Sequence, residues 1–160
     1  MCTDKMLKIM QIEHIHNQND TLDYNYITDG IFIGTNQCCT VGLSLILQKE
    51  GVTAVISLEE DRIDQPFGVS AYLWLPTIDH TPPTQGQLML GSETLKILVE
   101  QNKKVYVHCK NGHGRAPTLV GAYLIKKGLS LEEAESLMIE NRSTVKLWKI
   151  QKEALLNFSK

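Results

Sequence analysis

The chain has no Cys-x-x-Cys pair. Its four cysteines, Cys2, Cys38, Cys39 and Cys109, therefore have the spacing of neither a zinc ribbon nor a dithiol redox motif. It has no long apolar run either: the longest, Ala116 to Ile125, is too short to span a bilayer and contains Pro117 and Thr118. Met1 to Asn25 is mixed polar and lacks the apolar segment of a secretory signal, so reduced thiols and a cytoplasmic location are expected. Excess positive charge is missing as well. A net charge of -2 excludes nucleic-acid binding driven by bulk charge and leaves room only for a local basic pocket. Proline and glycine are sparse, at 5 and 11 residues, and 42% of the chain is hydrophobic, which argues against disorder and suffices for a sizeable core.

No repeat, low-complexity tract or linker divides the 160 residues, so a single domain over residues 24–160 is expected. An arm, residues 1–23, precedes it, with the turn-like Asn17-Gln18-Asn19-Asp20-Thr21. Short apolar runs then alternate with helical patterns. Ile31-Phe32-Ile33, Val52 to Leu58, Ala71 to Leu75 and Lys104 to His108 read as strands. Val41 to Glu50 reads as a helix presenting Val41, Leu45 and Ile46, stopped by Gly51. Thr84 to Gln87 and Ser130 to Glu133 have capping-box spacing and open helices to about Asn102 and Asn141. Between these two, Ala116 to Lys127 is apolar nearly all round, which predicts a buried helix. A last amphipathic helix is expected from about Val145 to Phe158. Trp74 and Trp148 read as packing residues. This alternation predicts an α/β fold with a central, mainly parallel sheet flanked by helices.

In such sheets ligands bind beyond the carboxyl ends of the strands. The stretch His108-Cys109-Lys110-Asn111-Gly112-His113-Gly114-Arg115 occupies that place, between a strand and the buried helix. Gly112 and Gly114 permit conformations that turn successive N–H groups inward, and the helix N-terminus adds partial positive charge. Arg115 is able to hold two oxygens of a phosphate at once. Such surroundings favour a thiolate, placed for in-line attack on phosphorus. A lone cysteine after a strand is usually a small buried hydrophobe, but Cys-x5-Arg in this context is far more specific than its parts. No Gly-Lys-Ser/Thr follows, so a nucleotide-binding loop of that type is excluded. Zinc binding through His108, Cys109 and His113 fits poorly, since adjacent strand residues point to opposite faces. No metal and no organic cofactor is expected.

A departing oxygen needs a proton, and Asp79 lies in a proline-rich loop after the Ala71–Leu75 run. On spacing alone a general acid and an ordinary capping aspartate are equally good readings of it. Glu59, Glu60, Asp61 and Asp64 form a charged loop whose simplest reading is a solvated surface. His108 reads as a structural support that orients the loop. Lys110 and His113 either face the bound anion or lie on the loop exterior. Cys38 and Cys39 read as helix-start thiols, with a disulfide to Cys109 under oxidation left open.

At these residues the sequence resembles the protein tyrosine phosphatase superfamily, whose signature is His-Cys-x5-Arg, and within it the small dual-specificity phosphatases. Tyr26-Ile27 and Ile31 to Gly34 are similar to the family's opening strands, and Trp74-Leu75-Pro76-Thr77-Ile78-Asp79 resembles its general-acid loop. The resemblance implies a dual-specificity phosphatase-like fold. It also implies Cys109 as nucleophile, Arg115 and residues 110–114 as the phosphate site, and Asp79 as the acid. The implied substrate is a phosphorylated protein or peptide bearing phosphotyrosine, or phosphoserine and phosphothreonine. The loop would hold phosphate or another oxyanion. Lys110 keeps open a phosphoinositide or other non-protein phosphoester, although a second lysine expected for that reading is absent and His113 stands in its region. The family usually has Ser or Thr after the signature arginine, and Ala116 stands there instead. Slow release of the phosphocysteine, or a phosphate-binding pseudophosphatase, is the reading that Ala116 supports.

Overall fold

A computed structural model of the chain describes residues 22–37 and 42–159. Cys2, Cys38, Cys39, Val41 and most of the expected arm lie outside the described residues.

Five strands form one sheet in the order β1 (Tyr24–Thr28), β2 (Ile31–Gly34), β5 (Lys104–His108), β3 (Val52–Ser57) and β4 (Ala71–Trp74). Three of the pairings are parallel, and β1 pairs antiparallel to β2 across a tight turn. The sheet is thus mixed, with the expected parallel core. Its central strand β5 is apolar because both faces are covered. Val105 and Val107 join the main core with Ile31, Ile33, Ala54 and Ile56. Tyr106 faces the other way, onto Phe32, Val55 and Leu47. Alternation along β5 thus assigns each residue to one of two cores, and it delivers Cys109 on the side of the larger one.

The helices are α1 (Leu45–Lys49), α2 (Gln85–Glu100), α3 (Arg115–Lys126), α4 (Leu131–Asn141) and α5 (Lys149–Phe158). Both capping boxes form, at Thr84 and at Ser130. Helix α3 is buried at every position from Arg115 to Leu124, as its apolar sequence requires. Among the described residues no helix is long and apolar enough to cross a membrane.

Three expectations need correction. Helix α1 is a single turn that buries Leu47, while Leu45 and Ile46 are exposed. Leu43 supplies its other anchor from just before the helix, so a helical face drawn over ten residues does not exist there. The last helix begins at Lys149 rather than near Val145, because Val145 and Leu147 reach the core from an extended segment. The charged loop after β3 is not simply a solvated surface. Glu59 and Asp64 are both only 3% exposed, whereas Glu60 and Asp61 face solvent as expected.

Candidate active site

Strand β5 ends at His108, helix α3 begins at Arg115, and the residues between them fold as a loop around one point. Cys109 is buried at its base. The Gly112 N–H donates to Cys109 Sγ at 3.3 Å. Gly112 has φ +67°, and a Cβ there would meet Gly34 O at 2.6 Å, so only glycine lets the loop pass so close to β2. Gly114 differs from the sequence expectation. Its φ is −130°, and it is small because the Gln151 amide packs on it, at 2.9 Å from where a Cβ would stand.

Arg142, almost wholly buried, braces the loop from behind. Its guanidinium donates to the carbonyls of Asn111 and Gly112, each at 3.2 Å, and to both oxygens of Asp23 and to Asn25 Oδ1. Two loop carbonyls are thereby satisfied. Thr118 donates both its N–H, at 2.8 Å, and its hydroxyl, at 2.7 Å, to Gly114 O. It serves the helix N-terminus and is not placed as a substitute for the hydroxyl that Ala116 lacks.

Arg115 is itself buried, and its fork is directed at the acid loop. Nη1 donates to Thr77 O at 3.0 Å, and Nη2 lies 3.2 Å from Asp79 Oδ1. Its Nε has no protein partner among the described residues, so the Nε–H is available to an incoming anion along with the second N–H of each Nη. Asp79 is half-exposed, and its Oδ1 also accepts from the His80 N–H at 3.0 Å. Cys109, Arg115 and Asp79 line one cavity of about 180 Å³, together with Asn111, His113 and Gly114. The fold therefore gathers a thiol, a guanidinium and a carboxyl from two segments, the 109–115 stretch and the loop after β4. Lys110 is exposed and is not among the residues lining that cavity; its carbonyl accepts from Asn36 N–H at 3.2 Å.

His108 is completely buried beneath the loop. Its Nε2 lies 2.7 Å from Asp64 Oδ2, its Nδ1 lies 3.9 Å from Glu59 Oε2, and its ring stacks on Tyr106. The two carboxylates that looked solvated in the sequence thus have an imidazole between them. Such a buried charge is tolerable only with partners of this kind.

Six site residues escape a reading of the sequence: His80, Arg142, Thr144, Lys146, Trp148 and Gln151. Lys146, Trp148 and Gln151 line the cavity. Trp148 is 45% exposed and meets His80 edge-on at 5.7 Å, so it is a rim residue rather than packing. Gln151 is fully buried and joins three parts of the site: its Oε1 accepts from Trp148 N–H, its Nε2 donates to Thr81 O, and its amide abuts Gly114.

Residues 31–160 match the sequence profile of the dual specificity phosphatase catalytic domain. The chain is 32% identical over 126 residues to the phosphatidylglycerophosphatase and protein-tyrosine phosphatase 1 of Homo sapiens, which covers 72% of this chain and 63% of that protein. It is 36% identical over 96 residues to dual specificity protein phosphatase 5 of Rattus norvegicus, 59% of this chain and 25% of that protein. The chain therefore spans less than two thirds of the length of either relative. A crystal structure of PTPMT1 in complex with PI(5)P superimposes with a TM-score of 0.73 at 28% identity, covering 85% of this chain and 94% of that one. Human DUSP28 shares the fold, with a TM-score of 0.76 at 22% identity over 84% of this chain and 94% of that one.

Proposed function

The chain belongs to the dual specificity phosphatase family, and we propose that residues 24–160 form one catalytic domain that hydrolyses phosphate monoesters through a phosphocysteine. The observation that carries this reading is the shared cavity of Cys109, Arg115 and Asp79. The Cys109 thiolate attacks phosphorus in line, the bond to the leaving oxygen breaks, and Asp79 gives that oxygen its proton. Asp79 then takes a proton from water, the hydroxide attacks phosphorus, and the S–P bond breaks to return the thiolate and release phosphate. Backbone N–H groups of residues 110–115 and the Arg115 guanidinium carry the charge that develops on the equatorial oxygens. His108 positions the loop through Asp64 and Glu59 and takes no proton.

Two substrate classes fit this chemistry. Phosphorylated protein, with phosphotyrosine first and phosphoserine or phosphothreonine after it, is the reading that the family resemblance implies. A phosphoinositide or other non-protein phosphoester is the second. It is favoured by the likeness to PTPMT1, whose structure holds PI(5)P, and by the presence of Lys146 in the cavity. His113 and Asn111 line that cavity in either case, and Lys110 acts through its charge alone.

The test is hydrolysis of an aryl phosphate by the wild type, Cys109→Ser and Asp79→Asn. Cys109→Ser is expected to abolish turnover, and Asp79→Asn to lower it by about 10²- to 10⁴-fold. Wild-type rates from the Cys109→Ser protein would sink the reading.

A further inference from the structure

One cation in the catalytic cavity has no part in the chemistry above. Lys146 belongs to the extended segment between α4 and α5 and lines the cavity. Its backbone N–H donates to His113 O at 2.8 Å, which fastens the segment to the phosphate loop. Its Nζ stands 4.6 Å from the centroid of the Trp148 ring, so an aromatic face sets where the ammonium points. Among the described residues no carboxylate pairs with it. Asp79, the one carboxylate among the described residues that line the cavity, is already held by Arg115.

The remaining titratable groups on the wall are His113, from the phosphate loop, and His80, from the acid loop. An exposed ammonium with no carboxylate partner among the described residues thus lines the same cavity as Cys109 and Arg115, together with two imidazoles. Trp148 costs little by its position, since its ring is amphipathic and spans the dry wall and the wet rim.

We propose that Lys146, oriented by Trp148 and flanked by His113, is a second anion subsite, and that the preferred substrate carries a second phosphate or carboxylate close to the scissile one. The inference rests on the reading of Cys109 and Arg115 as the phosphate site, and it gives the non-protein substrate class its second cation. The scaffold must be compact. Both sites open into one cavity of about 180 Å³, so the two anions lie within a single small ring or short polyol. In a phosphopeptide the flanking acidic group is a side chain and a backbone step away, and it would fall outside this wall. A bisphosphorylated polyol headgroup is a compact scaffold of the right charge.

The experiment compares kcat/KM for a soluble bisphosphorylated inositol with that for an aryl phosphate, in the wild type, Lys146→Ala, Lys146→Arg and Lys149→Ala. The wild type is expected to favour the bisphosphate. Lys146→Ala should lower the ratio of the two by about tenfold, chiefly through KM, as expected for loss of one charge-assisted contact. Lys146→Arg should keep most of the ratio. Lys149→Ala removes the same charge from a side chain outside the cavity, 92% exposed, and should leave the ratio alone. An unchanged ratio in Lys146→Ala, or an equal fall in Lys149→Ala, overturns the subsite. A larger Lys146 effect on an acid-flanked phosphotyrosine peptide than on the bisphosphate overturns the compact scaffold. The affinity of Cys109→Ser protein for the bisphosphate, with and without Lys146→Ala, gives the same answer with no turnover needed. Failure of the phosphatase reading shows itself separately, as aryl phosphate hydrolysis that survives Cys109→Ser.

Discussion

The guanidinium of Arg115 holds the carboxylate of Asp79, Nη2 to Oδ1 at 3.2 Å. The group proposed to bind phosphate therefore docks the loop that carries the proposed proton donor. An entering phosphate competes with Asp79 for the same fork. Once Arg115 turns to the substrate, the Asp79 carboxylate loses its cationic partner and faces an anion.

Competition of that kind separates binding from catalysis. Asp79→Asn is expected to slow hydrolysis and at the same time to tighten binding of inorganic phosphate. Asp79 is half-exposed, so the ion pair is screened, and a pair of that type is worth about 0.2–1 kcal/mol. The gain in phosphate affinity should therefore be no more than about fivefold. Titration calorimetry of the two proteins with phosphate measures it, and weaker binding in the variant would contradict the competition.

Arg142 is expected to matter more to the fold than its distance from the chemistry suggests. Five hydrogen bonds join it to β1 and to the outer side of the phosphate loop. Arg142→Ala should cost about 3 kcal/mol in urea unfolding, because it strands buried acceptors and opens a cavity. Phosphate affinity should fall too, as Asn111 and Gly112 lose their brace. Arg142→Lys should recover only part of either loss, since an ammonium lacks the fork.

The partner of Arg142 supplies a pH signature. The Arg142 hydrogen bond holds the Asp23 carboxyl below its ordinary value of 3.8. A carboxyl lowered in the folded state adds stability above its unfolded value and loses it as pH falls through the folded one. Asp23→Asn should therefore be less stable than the wild type at pH 7, with the difference shrinking below about pH 4. Unfolding curves at pH 7 and pH 3 check this, and a difference that grows at pH 3 would reverse the sign.

Ala116 predicts how turnover is divided between the two steps. With no hydroxyl at that position and Thr118 engaged with Gly114 O, hydrolysis of the phosphocysteine should be the slow step. Stopped-flow assay of an aryl phosphate should show a burst of about one leaving group per active site. Ala116→Ser should raise the steady rate by about tenfold. No burst in the wild type, together with an unchanged rate in Ala116→Ser, would contradict the assignment.

The parts of this molecule that were legible in its sequence are those whose partners are near in the chain. The capping boxes at Thr84 and Ser130 need only three residues each, and both form as read. Strand β5, the glycine loop and helix α3 are likewise contiguous. The charged loop misled because the burial of Asp64 depends on His108, 44 residues away. Lys146, Trp148 and Gln151 were hidden for a related reason, since a rim is made where separate segments meet. One signal was available: Val145 and Leu147 alternate with Lys146 and Trp148, a period of two that marks an extended segment rather than the start of a helix. Helix α1 shows the opposite failure, where a plausible ten-residue pattern folds as one turn.

Trp148 has one more consequence. The protein has two tryptophans, and Trp74 is tied to the backbone by its indole N–H, which donates to Glu59 O. Trp148 instead stands at the mouth of the cavity between an imidazole and an ammonium. Its emission should therefore respond to what enters the site, read without label or turnover, and Trp148→Phe, which leaves Trp74 alone to emit, supplies the control.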